Sequence, residues 1–257
     1  MLAQVAMIPS APLLVPELAG PAATDTAAVR DAALLVGRRL AASARIWLAV
    51  GAADRPGPPI ESSGYARRGD FGAYGVAVPV TLGRVPSGTG AVSDDAGAAL
   101  PLSMLLAGWL AGRSAPIAAA APATIPWTVD PAADAAACAD SGRRLAAFAD
   151  SLPEPVGLLV VADGATALTP KAPGGGQREA AVALQERIDE ALASADTAAL
   201  GDLDEADCLA QGVAGRAAWQ VMAAACADRG MAADVVYRAA PFGVGYTVAT
   251  WTPGTRR

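Results

Sequence analysis

The chain has 257 residues, 53% of them hydrophobic and 17% charged, with a formal net charge of −6 and a pI near 4.7. That length and apolar content suit a single α/β domain spanning residues 1–257 and exclude a mainly disordered chain. The acidic balance, with no basic stripe along any segment, excludes a nucleic-acid binder on electrostatic grounds.

Residues 2–8 (LAQVAMI) form an apolar run suited to a buried strand, and the loop IPSAPLLVPEL follows. Apolar positions Val29, Ala33, Leu34, Val36 and Leu40, with arginines between them, predict a helix over 22–43. Residues 46–51 (IWLAVG) predict a second buried strand, and 52–75 a long excursion of the kind that tends to be functional or mobile. Residues 76–82 read as extended, with Pro79 pointing to an edge position. Ser93-Asp94-Asp95 is a candidate cap for a helix over 96–111. A weak strand is expected at 116–121, a loop at 122–130, and a helix over 131–150 opened by Pro131. VGLLVVA at 156–162 is the clearest buried strand. A loop at 163–176, a helix at 177–194, short helical pieces around 202–210 and a helix at 214–229 come next. Strands at 233–238 and 244–251 close the chain. Strand and helix alternate, and the strands are continuous apolar runs, so a central sheet covered on both faces by helices is expected. Ligands bind beyond the carboxyl ends of strands in such sheets, so the loops at 9–17, 52–75, 122–130 and 163–176 are the expected rim of a cleft.

The chain contains no histidine. Imidazole is the commonest metal ligand and the usual general base near neutral pH. Its absence excludes a two-histidine, one-carboxylate iron site, histidine-ligated zinc and a Ser-His-Asp triad. Cys138, Cys208 and Cys226 have no metal-type spacing and form no disulfide framework, which fits reduced thiols in a cytoplasmic protein. The first residues lack the basic segment of a signal peptide, and no apolar stretch of about 18 residues runs free of charge, proline and glycine, so no membrane span is expected. The Ala/Arg-rich balance, with Lys171 as sole lysine, is that of a GC-rich bacterial genome.

Four stretches resemble one family, the class III extradiol ring-cleavage dioxygenases, in an actinobacterial-type form. MIPSAPLLVPELAG resembles the family's opening Pro-His-Pro-Pro-Leu-Leu loop. LLVVADGATALTPKAPGG resembles its Gly-Asp-Leu-Ser-His loop, and GVAGRAAWQVM the helix after its Glu-Cys-Gly motif. YRAAPFGVGYTVATW resembles its closing strands. The resemblance implies a three-layer α/β/α fold with a mixed central sheet. It also implies a ferrous centre held by two histidines and a glutamate, with a further histidine as acid/base. Carried over singly, those ligand positions fall on Ser10, on or next to Thr166, and on Val213, and the acid/base histidine has no counterpart. The expectation is a family architecture without the iron centre and with no cofactor.

Three readings follow. The first is a non-dioxygenase that binds a small ligand or a protein partner in the former cleft, bordered by Ser10, Asp163, Thr166 and Tyr246. The second is a histidine-free, hydrolase-type enzyme using Ser10, Asp163 and Lys171, since a nucleophilic serine needs a base. The third is a structural component of a larger hetero-oligomer, a homo-oligomer also being open. Each residue has a plainer role as well. Ser10 satisfies loop backbone near prolines, Asp163 closes an Asx-turn, and Gly243, Gly245 and Tyr246 shape a hairpin or the start of a strand. The carboxylates Asp54, Glu61, Asp94 and Asp95 leave a magnesium or calcium site open. Gly174-Gly175-Gly176 is a weak phosphate cradle without a P-loop ending. Trp109, Trp127 and Trp219 read as core.

Overall fold

The computed structural model describes residues 1–53, 66–83, 97–115, 120–172 and 176–254. Strand β1 (Leu2–Ile8) leads through a proline-rich loop and the short helix α1 (Pro16–Ala19) to α2 (Ala27–Ser43) and β2 (Ile46–Ala52). A small hairpin, β3 (Arg68–Asp70) and β4 (Pro79–Thr81), is followed by α3 (Leu102–Ser114), β5 (Ala123–Val129), α4 (Ala135–Ser151) and β6 (Val156–Val161). Then come α5 (Glu179–Ser194), α6 (Thr197–Gly201), α7 (Glu205–Ala210), α8 (Arg216–Cys226), β7 (Met231–Ala239) and β8 (Tyr246–Pro253).

Six strands form one mixed sheet in the order β5-β2-β6-β1-β8-β7. The first four are mutually parallel, while β8 runs antiparallel to both β1 and β7. The period of two in a strand sends alternate side chains to opposite faces. Val5, Met7, Leu48, Val50, Leu158 and Val160 enter one core with α4, α5 and α8. Ala6, Ile8, Trp47, Ala49, Leu159 and Val161 enter the other with α2 and α3. Both faces of the central strands are therefore dry, which is why β6 reads as an unbroken apolar run. The edge strand β7 is half-exposed along its length, and its sequence alternates accordingly. The result is the expected three-layer α/β/α arrangement, and among the described residues no helix is long and apolar enough to cross a membrane.

Several boundaries depart from the sequence reading. The edge strand near residue 120 is Ala123–Val129, inside the segment expected as loop, and it contains Pro126. Its β-branched and aromatic residues Thr124, Ile125, Trp127 and Val129 favour a strand, and a proline without an N–H is tolerated because β5 pairs only with β2. Helix α3 begins at Leu102 behind Pro101, six residues later than expected; the candidate cap Ser93-Asp94-Asp95 lies outside the described residues. Helix α2 begins at Ala27 behind Thr26, because residues 20–23 take a 3₁₀ turn. Helix α4 is opened by Asp134, whose carboxylate accepts from Ala137 N at 2.7 Å, and not by Pro131. Pro79 does sit in a strand, but in the separate two-stranded sheet.

Candidate functional site

Three parallel strands end in line. The register pairs Ile8 with Val161 and Gly51 with Val161, so the loops after β1, β2 and β6 leave the sheet side by side. In open α/β sheets that edge is where ligands bind. The loop after β1 is nailed down by Ala11, Leu14 and Val15, all buried, which leaves Ser10 half-buried at the rim. Its backbone N–H donates to Asp163 Oδ1 at 2.7 Å. The first turn of α3 brings Leu102 and Ser103 across the end of β2, where the Ser103 hydroxyl donates to Ala52 O at 2.9 Å. Together with Ala52, Val161, Ala162 and Ala214 these residues enclose a cleft of about 170 Å³.

Asp163 is held from behind. Its carbonyl accepts from Gly215 N at 3.0 Å, an approach close enough that a Cβ at residue 215 would run into it. Gly164 N donates to Gly245 O, Gly245 N to Ala165 O, and Leu168 N to Gly243 O, lacing the loop to the turn between β7 and β8. Gln185 of α5 braces the same place: Ala165 N donates to its Oε1 at 2.7 Å, and its Nε2 donates to Asp189 Oδ1 at 3.0 Å. Thr247 of β8 donates to the same Asp189 oxygen at 2.7 Å. Burial raises the Asp189 carboxyl above its ordinary value, those two hydrogen bonds pulling the other way. The Asp163 carboxyl is pushed from 3.8 up to about 7 by burial, and only the Ser10 N–H opposes that. A carboxyl so poised is ionised and protonated in comparable amounts near neutral pH.

The other sequence candidates scatter. Thr166 turns away, its N–H and hydroxyl both donating to Gln211 O at 2.9 and 3.2 Å. Tyr246 is 5% exposed and packs in the core with α2; burial and the neighbouring Asp163 raise its phenol. Contrary to the expectation from sequence, it supports Asp163 from below and does not border the cleft. Lys171 is exposed and lines neither the Ser10 cleft nor any other described cavity, so the structure does not assemble a Ser-Lys pair. Val213 is buried and lines a separate, mostly apolar cleft of about 330 Å³ with Pro131, Leu209, Ala214 and Arg216. Arg216 is itself 3% exposed, its guanidinium donating to Gln220 Oε1 and to the carbonyls of Pro131 and Ala133, each at 2.8 Å. The carboxylates Asp54, Glu61, Asp94 and Asp95, and Gly174 and Gly175 of the glycine run, lie outside the described residues. Trp109, Trp127 and Trp219 are buried in the two cores, and the three thiols are free and buried.

Ser103, Gln185 and Ala214 escape a reading of the sequence alone. Pro101 immediately before Leu102-Ser103 is the available signal for a helix start there, since proline favours such positions; Gln185 and Ala214 carry no local signal. The positions at which the resemblance places iron ligands hold a hydroxyl turned onto backbone, an aliphatic side chain and Ser10, a donor set that does not suit ferrous iron. Among the described residues, no three Cys, Asp or Glu side chains converge.

No family model matches the chain. No curated protein matches it either. Among solved structures it is similar to an uncharacterised protein, JW3007, of Escherichia coli K12, with a TM-score of 0.50 and 13% identity over 97% of this chain and 99% of that one. At that identity the likeness extends to the fold alone, an α/β arrangement built on a mixed sheet.

Proposed function

We propose that this chain is a histidine-free protein with the fold of the class III extradiol ring-cleavage dioxygenases. In it the cleft bordered by Ser10, Ser103 and Asp163 binds a small molecule, and iron-dependent ring cleavage is absent. One observation carries the reading. The strand ends converge on a cleft whose single ionisable side chain is Asp163, in a chain that has no imidazole to offer a metal. One carboxylate and two hydroxyls suit hydrogen bonding to a ligand; they lack the ligand count and softness for ferrous iron. The hydrolase alternative asks for a base beside Ser10, and Lys171 does not line that cleft.

The test is anaerobic loading of the purified protein with Fe(II), followed by metal analysis and a catechol ring-cleavage assay. The expected result is iron well below one equivalent and no cleavage. One equivalent of iron, with cleavage that chelation removes and Fe(II) restores, overturns the proposal.

A further inference from the structure

We propose that the Asp163 cleft seats the ammonium group of a small primary amine, with Asp163 Oδ2, Ser10 Oγ and Ser103 Oγ as its three acceptors. The inference rests on the reading of this cleft as a ligand site and names the chemistry it selects.

The acceptor inventory carries the assignment. Asp163 Oδ1 is taken by the Ser10 N–H, whereas Oδ2 has no hydrogen-bond partner among the described residues. No lysine or arginine lines the cleft, so Asp163 faces it without a counter-charge. A desolvated carboxylate lacking a cation is costly, and a bound cation recovers part of that cost. The Ser10 hydroxyl makes no hydrogen bond among the described residues. Ser103 is 1% exposed and spends its proton on Ala52 O, so it meets a ligand as an acceptor. An ammonium brings three N–H donors and no acceptor, which matches one carboxylate oxygen and two hydroxyl lone pairs. A carboxylate ligand would bring acceptors to a wall of acceptors.

Size and field narrow the ligand further. A water occupies roughly 30 Å³ of liquid, so a cleft of about 170 Å³ admits a body of about six such units. The remaining walls, Ala52, Leu102, Val161, Ala162 and Ala214, are apolar and suit a short hydrocarbon. The first-turn amides of α3 point positive partial charge toward the Leu102 end. The ammonium therefore sits at the Asp163 end, with the hydrocarbon toward Leu102.

The experiment is thermal unfolding at constant ionic strength with ethylammonium, propionate or 1-propanol, on the wild type and on Asp163→Asn, Ser10→Ala and Ser103→Ala. Ethylammonium at about ten times its Kd is expected to raise the wild-type Tm by about 3–5 °C. Propionate and propanol are expected to leave it unmoved. Asp163→Asn abolishes the response, and each serine variant weakens the apparent Kd by about 2–12-fold, the span of one net hydrogen bond. An equal shift in Asp163→Asn, or a propionate shift matching that of ethylammonium, overturns the inference, and the serine variants decide it should the asparagine variant not fold. Absence of an amine response in iron-free protein defeats this assignment alone, whereas stoichiometric iron uptake defeats the reading on which it rests.

Discussion

Replacing Asp163 with asparagine keeps the side chain's shape and the acceptor for the Ser10 N–H, and removes its titration. In the folded protein the carboxyl is pushed up to about 7 from an ordinary value of 3.8, so between those values the folded state holds a proton that the unfolded chain has released. Stability then falls as pH rises, because the unfolded state binds fewer protons. The contribution is fully present below about pH 4 and lost by pH 7–8. At about 1.4 kcal/mol per unit the whole shift corresponds to about 4 kcal/mol; because Asp163 is only half-buried, solvent reduces this to about 2–4 kcal/mol. Urea unfolding of both proteins at half-unit steps from pH 4.5 to 7.5 isolates the group, since every other carboxylate titrates alike in the two. The expected result is that Asp163→Asn gains about 2–4 kcal/mol on the wild type across that range, the gain growing with pH. A difference independent of pH, or one that shrinks as pH rises, would refute the claim that Asp163 is desolvated and without a counter-charge.

Two further outcomes test the frame around the site. A Cβ at Gly245 would strike the Gln185 carboxamide, which is pinned by Ala165 and Asp189; Gly245→Ala is expected to cost about 2 kcal/mol in urea unfolding. Combined with Gln185→Ala, which opens that space, the two changes should be less than additive by about 1 kcal/mol or more, and strict additivity would show that the contact is not the cause. Burial pushes Cys208 up to about 11 and Cys226 up to about 12, and it raises Cys138 as well. A thiol reagent at pH 8 should therefore label the folded protein slowly and all three cysteines at once in denaturant; fast stoichiometric labelling of the native state would contradict that burial.

Much of the scaffold is legible from the sequence because its signals are local. The runs at 2–8, 46–51 and 156–162 are strands for the reason the pattern gives: continuous apolar residues between loops, covered on both faces. Residues 123–129 escape recognition, since Pro126 argues against a strand unless one knows that the strand lies at an edge, which only the assembled sheet reveals. Ser10 and Asp163 are identifiable because each follows a strand, and the sheet register brings those two ends together. Thr166 and Tyr246 mislead for a different reason. Sequence places a residue on a loop or strand, but which way its side chain turns is decided by partners far along the chain, Gln211 for one and the α2 core for the other. Ser103 and Gln185 are likewise recruited by tertiary packing, across 51 and 20 positions from the groups they hold.

Ala214 is exposed and lines both the cleft at Asp163 and the larger one beside Arg216. One methyl group thus forms part of the wall of two chambers. A bulkier residue there would shrink whichever chamber it leaned into, and a glycine would loosen both. The shapes of these neighbouring hollows cannot evolve independently at this position, and any drift that suits an occupant of one is screened by its effect on the other.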